Sequence, residues 1–286
     1  PGCKSKTDYL CTDLRPVFPE ERLLLELVQG KPLAYLNMSV WAANNRYYIN
    51  GKSVAFTTKQ YNKISIKDIQ DQLVEYQKHN TYEFFNKNIA KFVENNRSRL
   101  NYIIDEAYSF IKETSEPYPR EFIVVSFSGG KDSTVTADLT VKALSDPSLV
   151  HIFGNTTLEF PMTIEYAERY RTDNPMTIFK TAINREQDFY SVCEDIGPPA
   201  RMLRWCCSMF KTGPITRVLN SMYHEKDILT FYGIRKCESV SRSKYNRVED
   251  NAESVKIQKQ KVASPIFHWK DIDIWLYILG EKVDFN

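Results

Sequence analysis

A short glycine-rich loop between an apolar run and a helical pattern constrains the fold of this chain more than any other feature. The run EFIVVSF at 121–127 is almost uninterrupted in its apolar character, as in a strand buried on both faces of a parallel sheet. It leads directly into the hexapeptide SGGKDS at 128–133, and the residues that follow have the apolar spacing of a helix. A strand, a tight loop and a helix in this order predict the first part of a βαβ unit.

The hexapeptide has the properties of an anion-binding loop. Two glycines let the backbone approach a phosphate closely, and the first N–H groups of the next helix have no partner within that helix. Serine hydroxyls and a lysine charge can add to them. The pattern is neither GxxxxGK[ST] nor GxGxxG, and an ordinary glycine turn is the competing interpretation. We predict phosphate binding at Ser128, Gly129, Gly130, Lys131, Asp132 and Ser133.

The rest of residues 119–286 alternates between strand and helix patterns. LVHIFGN, MTIFKT and DILTFYGI have the composition of strands, and helical patterns lie at PMTIEYAERYRTD, near Arg185–Cys193 and at KTGPITRVLNSMY. This alternation predicts an α/β fold with a doubly wound, mostly parallel sheet. Ligands of such sheets bind beyond the carboxyl ends of the strands, which is where SGGKDS lies.

Residues 1–118 lack this regular alternation of strand and helix patterns and are predicted to form an N-terminal α+β domain. Asn50-Gly51 stands between two β-prone runs, Tyr47–Ile49 and Ser53–Phe56, and predicts a tight hairpin. Ser65 and the acidic residue three positions later have the spacing of a capping box.

A longer helical stretch is predicted from about Tyr82 to Lys112, because apolar residues recur there at steps of three and four. Pro117 and Pro119 end that pattern and indicate a linker. The two predicted domains are therefore 1–118 and 119–286.

Composition excludes several classes of protein. The 286 residues carry 38 Lys+Arg against 36 Asp+Glu, and 42 % are hydrophobic, so a disordered chain or a polybasic surface is excluded, although a local basic groove is not. No apolar run approaches the roughly 20 residues of a membrane span. Six cysteines are too few for a disulfide scaffold, so we expect a cytoplasmic, reducing compartment. The initial proline and the abrupt end lead us to expect more protein on one or both sides.

An ordered series of segments resembles a known family. SFSGGKDS resembles the pyrophosphate loop of the adenine-nucleotide α-hydrolase superfamily, whose members hold ATP or an adenylylated sulfur compound. Four later segments resemble its phosphoadenosine phosphosulfate (PAPS) reductase branch. They are GNTTLEFPMT (154–163), LRWCCSMFKTGPI (203–215), GIRKCESVSR (233–242) and SPIFHWKDIDIWLYI (264–278).

Charged residues in these segments are the predicted catalytic groups. Arg235 and Arg242 follow a predicted strand, and arginine forks suit phosphate or sulfate oxygens, with solvated surface charges as the alternative. Arg204 and Lys211 are weaker additions. The predicted catalytic set is Lys131, Asp132, Arg235 and Arg242, and nucleotide contacts are also expected from Asn155, Glu238 and Ser239.

Two cofactors are expected beside the nucleotide. Asp132 is the first candidate for a Mg²⁺ ligand and Glu159 the second, since Mg²⁺ is typically held by one or two carboxylates plus substrate phosphates. The resemblance implies a [4Fe–4S] cluster, because iron–sulfur members of this branch combine a vicinal Cys-Cys with a later CxxC. Cys206-Cys207 supplies the first pair, and no CxxC occurs in the 286 residues, so the remaining ligands are expected outside this segment.

The cysteines also have roles that do not involve this cluster. Cys206 and Cys207 are alternatively two small buried residues at a helix start. Cys237 is a weaker ligand candidate, since lone cysteines usually just pack. Cys3 and Cys11 have the placement of a metal-ribbon remnant.

Three functions compete. The first is an enzyme of sulfur metabolism that cleaves ATP at the α-phosphate and releases pyrophosphate, as in the sulfurylase small subunit, tRNA thiolation enzymes and the Dnd-type DNA phosphorothioation protein. The second is an APS or PAPS reductase that makes sulfite. The intact loop counts against it, because such reductases generally carry a degenerate loop, and nothing after Cys237 serves as their terminal cysteine. The third is a non-catalytic nucleotide-sensing subunit.

The expected partners follow from these functions. They are a nucleotide substrate, DNA or RNA as a candidate acceptor, and a cysteine desulfurase or thioredoxin as a candidate sulfur or electron donor. A membrane is not expected, and a homo-oligomer is left open.

Overall fold

The computed structural model describes residues 13–43, 46–54, 64–200, 202–224, 226–239, 242–250 and 259–286. The predictions for Cys3 and Cys11, and the end of the second hairpin run at Phe56, lie outside these residues. Within them, no helix combines the length and the apolar character that crossing a membrane requires.

Secondary structure in the N-terminal part mixes short strands with helices. The elements are β1 (Arg15–Pro16), α1 (Pro19–Val28), β2 (Val40–Ala43), β3 (Arg46–Ile49), β4 (Lys52–Val54), α2 (Ile66–Gln77), α3 (Thr81–Asn95) and α4 (Arg97–Ser115).

Strands and helices alternate in the C-terminal part. The elements are β5 (Ile123–Phe127), α5 (Lys131–Leu144), β6 (Val150–Asn155), α6 (Pro161–Asp173), β7 (Ile178–Ile183), α7 (Phe189–Ile196), α8 (Gly213–Tyr223), β8 (Ile228–Phe231), β9 (Val248–Asp250), β10 (Gln260–Ala263) and α9 (Asp271–Glu281). Short 3₁₀ turns lie at Arg120–Phe122, Lys236–Glu238 and Arg242–Lys244, and a π-helical turn covers Cys207–Thr212.

The chain forms two compact units. The first contains residues up to Asn101 together with Lys270–Lys282, and the second contains Tyr102–Trp269 with Val283–Asn286. Helix α9 belongs to the first unit because it packs against α3 and β1. A boundary between independent domains at residue 118 stays a prediction.

The first unit contains a small antiparallel sheet in the order β1-β2-β3-β4. The hairpin predicted at Asn50-Gly51 is confirmed, since Asn50 and Gly51 both have positive φ, at 48° and 81°, as a type I′ turn requires. The predicted capping box is also confirmed, because the Ser65 side chain accepts from the Asp68 N–H and the Asp68 side chain accepts from the Ser65 N–H.

Two helix predictions were wrong in their bounds. The helical stretch predicted from Tyr82 to Lys112 is interrupted at Asn96, whose side-chain amide donates to the Phe92 carbonyl at 2.7 Å. Asparagine competes for backbone partners in this way and so favours helix ends. Helix α7 begins four residues later than predicted from Arg185, because the Asp188 side chain accepts from the Ser191 N–H and caps it.

The second unit contains the predicted α/β sheet. Its strand order is β7-β6-β5-β8-β10-β9; the first five strands in this order are parallel to one another, and β9 is antiparallel at the edge. Apolar clusters cover both faces: Val124 and Ile152 pack with Leu219 of α8, whereas Val125 and Phe127 pack with Tyr166 of α6. The doubly wound, mostly parallel sheet is thereby confirmed.

Strand order places a switch point beside the glycine loop. From β5 the chain proceeds to β6 and β7 on one side and then returns to β8 on the other side of β5. The carboxyl ends of β5 and β8 therefore flank a crevice, the usual ligand position in such sheets. SGGKDS follows β5, and the segment from Gly233 follows β8.

Candidate nucleotide site

Gly129 is required by the backbone of the loop itself. It has a φ of +74°, which lies in the left-handed region that residues with a Cβ rarely adopt. A Cβ built there would also lie 3.2 Å from Cγ2 of Thr163 on α6. Any other residue would therefore strain the turn from β5 into α5.

Gly130 is different, because the protein's own packing leaves room for a side chain. It is the N-cap of α5 with an ordinary φ of −85°. The described residues give a Cβ at this position one neighbour within 4 Å, Oγ of Ser128 at 3.6 Å, which is an ordinary contact. The space that Gly130 keeps open thus lies at the N-terminus of α5, where unpaired N–H groups and the helix dipole favour an anion.

Ser133 stabilises the loop through hydrogen bonds of its side chain. Its buried hydroxyl donates to the Gly130 carbonyl at 2.9 Å and accepts from the Ser128 N–H at 3.1 Å. The hydroxyl oxygens of Ser128 and Ser133 lie 3.0 Å apart, and Ser128 itself is exposed. Ser133 therefore shapes the loop from a buried position, whereas Ser128 is an exposed residue of the same loop.

Alternating charges join the loop to the segment after β8. Lys131 Nζ lies 3.1 Å from Asp132 Oδ2, and Asp132 Oδ1 lies 2.9 Å from Nε of Arg235. Arg235 Nη2 lies 3.9 Å from Glu238 Oε1, and Glu238 also pairs with Arg242. Three cations and two carboxylates thus form a chain with a net charge of +1 at the crevice, and these are the four predicted catalytic residues together with Glu238.

Arg235 is held in a defined position. Its side chain is only 5 % exposed, and its backbone N–H donates to Oε2 of Glu238 at 3.2 Å. A buried guanidinium with two carboxylate neighbours has lost much of its rotamer freedom, so its position is set before any ligand binds. Ser239 lies at the end of this turn, where its hydroxyl accepts from the Arg242 N–H at 3.2 Å.

The segment after β6 borders the same edge of the sheet. The Asn155 side chain accepts from the Thr157 N–H at 2.8 Å, and the second Mg²⁺ candidate, Glu159, accepts from the Thr156 hydroxyl at 2.8 Å. Thr157 has a φ of +64°, an uncommon conformation for a β-branched residue, and its hydroxyl accepts from the Phe189 N–H at 2.9 Å. Sequence reasoning missed Thr157, since no local pattern marks a strained threonine.

Cys206 and Cys207 lie at the start of the π-helical turn, which packs against β6 and β7. Both are half-buried free thiols, and Cys206 joins an apolar cluster around Trp205 and Phe210 that also contains Cys193. Burial raises the pKa of the Cys206 thiol above its ordinary value, and the neighbouring Cys207 raises it further. Cys193 of α7 is also half-buried in this cluster.

The described residues do not supply a complete set of ligands for a metal ion or an iron–sulfur cluster. Among them, no three His, Cys, Asp or Glu side chains are close enough to hold a metal ion together. The two vicinal thiols amount to half of a four-thiolate set. Both oxygens of Asp132 face cations, so coordination of Mg²⁺ by Asp132 would require Lys131 or Arg235 to move away.

The remaining predicted groups lie less centrally. Arg204 and Lys211 are exposed on the cysteine segment. Cys237 is an exposed thiol whose Sγ lies 3.6 Å from Nη1 of Arg235 and donates to the Trp269 carbonyl at 3.4 Å. Cys237 therefore borders the charged chain rather than a metal site.

Comparison with known families decides the identity of this architecture. Residues 122–286, more than half of the chain, match the family described as the phosphoadenosine phosphosulfate reductase domain. The chain belongs to this family. Its PAPS reductase domain begins with β5 and includes the glycine loop, the cysteine segment and the arginine segment. Membership places the chain in a family of enzymes.

Individual relatives of this PAPS reductase domain protein have different names. An uncharacterized protein of Methanocaldococcus jannaschii is 35 % identical over 221 residues, which are 77 % of this chain and 43 % of the relative. Sulfate adenylyltransferase subunit 2 of Brucella anthropi is 24 % identical over 209 residues, which are 66 % of this chain and 65 % of the relative. PAPS reductase from Candida auris is a structural match with a TM-score of 0.48 and 14 % identity, covering 65 % of this chain and 87 % of that one. The chain spans about half the length of the first curated relatives it matches.

Proposed function

We propose that this PAPS reductase domain binds ATP at SGGKDS and catalyses attack of an acceptor on the α-phosphorus. The observation that carries the proposal is the space at Gly130. The packing of the protein leaves room for a side chain there, and the glycine keeps that room empty. An open space at a helix N-terminus beside Lys131 and Arg235 suits phosphate groups. The glycine and the lysine of the loop are both intact, as in superfamily members that cleave ATP rather than a sulfonucleotide.

The chemistry requires charge stabilisation more than a protein nucleophile. The acceptor donates an electron pair to the α-phosphorus, the bond to the bridging oxygen of the β-phosphate breaks, and pyrophosphate leaves with that electron pair. Lys131, Arg235 and Arg242 would stabilise the negative charge that develops on the oxygens. The acceptor's proton passes to solvent or to a base, and no described residue is assigned that role.

The acceptor is open to test. A curated relative carries the name sulfate adenylyltransferase subunit 2, which favours adenylyl transfer and a larger assembly. Sulfate, DNA and RNA are therefore the acceptors to compare, and a cysteine desulfurase or thioredoxin is the candidate donor of sulfur or electrons.

The proposal also includes two cofactors, an iron–sulfur cluster and a Mg²⁺ ion, to which no reaction step is assigned. Cys206 and Cys207 would supply two thiolates of a [4Fe–4S] cluster whose other ligands lie outside the described residues. A Mg²⁺ ion would be held chiefly by the phosphates of ATP and would neutralise part of their charge.

The alternative is an APS or PAPS reductase, which the vicinal cysteines and the family name favour. One assay separates the candidates. The whole protein is incubated with ATP, APS or PAPS, with Mg²⁺, reduced thioredoxin and each acceptor, and both pyrophosphate and sulfite are measured. Pyrophosphate from ATP without sulfite supports the proposal, and sulfite without pyrophosphate overturns it in favour of the reductase. Tight nucleotide binding with neither product favours a nucleotide-sensing subunit.

A further inference from the structure

Gly233 lies close against the backbone at the start of α5. It follows β8, and a Cβ built on it would lie 2.7 Å from the carbonyl carbon of Asp132 and 2.8 Å from both the Asp132 oxygen and the Ser133 nitrogen. These atoms are backbone at the start of α5 and cannot rotate away. Gly233 has no positive φ, so a larger residue would be excluded by lack of space and not by its dihedral angles.

The segment that begins at Gly233 is held on its other side as well. The Lys236 N–H donates to the Phe267 carbonyl at 2.9 Å, and the Cys237 thiol donates to the Trp269 carbonyl at 3.4 Å. Arg235 precedes these two contacts in the chain and is 4 % exposed. A methyl group at position 233 must therefore push the segment away from α5, and Arg235 would move with it.

We infer that Gly233 is a positioning residue that sets the separation between two anion positions and thereby selects ligands with more than one phosphate. The inference rests on the proposed binding of ATP at SGGKDS. The first position is the N-terminus of α5, and the second is the guanidinium of Arg235, joined to it through Asp132. A pyrophosphate group spans two such positions, whereas a single phosphate occupies one of them.

The test compares Gly233→Ala with the wild-type protein for three probes: ATP, inorganic pyrophosphate and AMP. Calorimetry should show at least a tenfold loss of affinity for ATP and pyrophosphate and less than a threefold change for AMP. Gly154→Ala is the matched control, because it adds the same methyl group to strand β6 of the same sheet, where the nearest atom is the flexible Cδ1 of Ile215 at 3.2 Å. It should retain wild-type affinity for all three probes.

Each remaining result has a definite meaning. Unchanged pyrophosphate affinity in folded Gly233→Ala, or an equal loss for AMP and ATP, overturns the positioning role while the proposed function stands. Wild-type protein that binds neither ATP nor pyrophosphate overturns both. If Gly233→Ala does not fold, Arg235→Lys replaces it, since lysine keeps the charge but cannot make the two-nitrogen contact with Asp132. The same selective loss is expected, and wild-type pyrophosphate affinity in Arg235→Lys contradicts the inference.

Discussion

Asp132 and Arg235 lie 103 residues apart in the chain, yet Oδ1 of the carboxylate is 2.9 Å from Nε of the guanidinium. Two secondary-structure elements meet through this pair: the first turn of α5 and the segment after β8. The Arg235 side chain is 5 % exposed and that of Asp132 15 %, so the pair is largely shielded from water. We therefore expect the pair to stabilise the fold, in addition to forming part of the candidate site.

Removal of the Asp132 charge should destabilise the protein. Asp132→Ala leaves a buried guanidinium without its nearest carboxylate, and breaking a buried pair typically costs about 3–5 kcal/mol. We expect a loss of about 2–3 kcal/mol here, because Glu238 remains as a neighbour. Urea unfolding measures it, with Glu168→Ala as the control. Glu168 pairs with Arg171 on an exposed surface, and its loss should cost less than about 1 kcal/mol. Equal costs for the two variants would contradict the shielding argument.

Substitutions of the two loop glycines should have different effects, one on stability and the other on ATP binding. Gly129→Ala places a Cβ at a φ of +74° and should cost about 1–2 kcal/mol of unfolding free energy. Gly130→Val should change stability by less than about 1 kcal/mol and yet abolish ATP binding, since its side chain fills the space proposed for phosphate. Thermal unfolding and calorimetry measure the two effects. ATP affinity retained in Gly130→Val would remove this loop from the site.

The positive charge of Lys131 should contribute to the affinity for the β- and γ-phosphates of ATP. Lys131→Ala is expected to weaken ATP binding by about 1.5–3 kcal/mol, or roughly 10- to 150-fold, and AMP binding by less, because charge-assisted hydrogen bonds have this magnitude. Lys142→Ala on the last turn of the same helix is the control, since that lysine pairs with Asp138 away from the loop. Competition binding with a labelled nucleotide gives both affinities. A loss of AMP affinity equal to that of ATP would contradict a role at the tail.

Iron content should depend on the vicinal cysteines. Anaerobically purified whole protein should be brown with broad absorption, and Cys206→Ser should bleach it because a hydroxyl replaces a thiolate poorly on iron. Cys193→Ser, in the same apolar cluster, is the matched control and should keep the colour. Iron analysis and absorption spectra measure both. Wild-type protein without iron after reconstitution would leave Cys206 and Cys207 as packing residues.

Stability should fall between about pH 6.5 and pH 4 because of His151. Burial lowers the pKa of this histidine from 6.5 to about 4, although a hydrogen bond to the Leu149 carbonyl opposes the shift. The unfolded chain therefore binds a proton that the folded chain does not, and unfolding becomes easier as the pH falls. The full effect is about 3 kcal/mol.

Urea unfolding across this pH range tests the prediction. His151→Gln should flatten the profile, whereas replacement of the exposed His268 should leave it unchanged. A wild-type profile that is already flat would contradict the burial argument.

Local patterns predicted much of the fold because they depend on near neighbours. The alternation after residue 119 was sufficient for a doubly wound sheet, and Asn50-Gly51 and Ser65 marked a hairpin and a helix start that the structure confirms. Helix bounds were less secure where one polar side chain decided them. Asn96 ends α3 and Asp188 begins α7 through side-chain hydrogen bonds, which apolar periodicity does not record.

The sequence by itself determined the glycine loop and its place after a buried strand, because a strand, paired glycines and a helix start are contiguous in the chain. It also determined which arginines were candidates, since they occur in one short segment. Only the tertiary structure decided that Asp132 faces Arg235, that Gly233 touches the first turn of α5, and that Gly130 leaves space where Gly129 does not. The reason is physical: the two contacts of the segment after β8 depend on β8 returning beside β5, and the crowding at Gly129 depends on Thr163 of α6. No local pattern records which elements become neighbours.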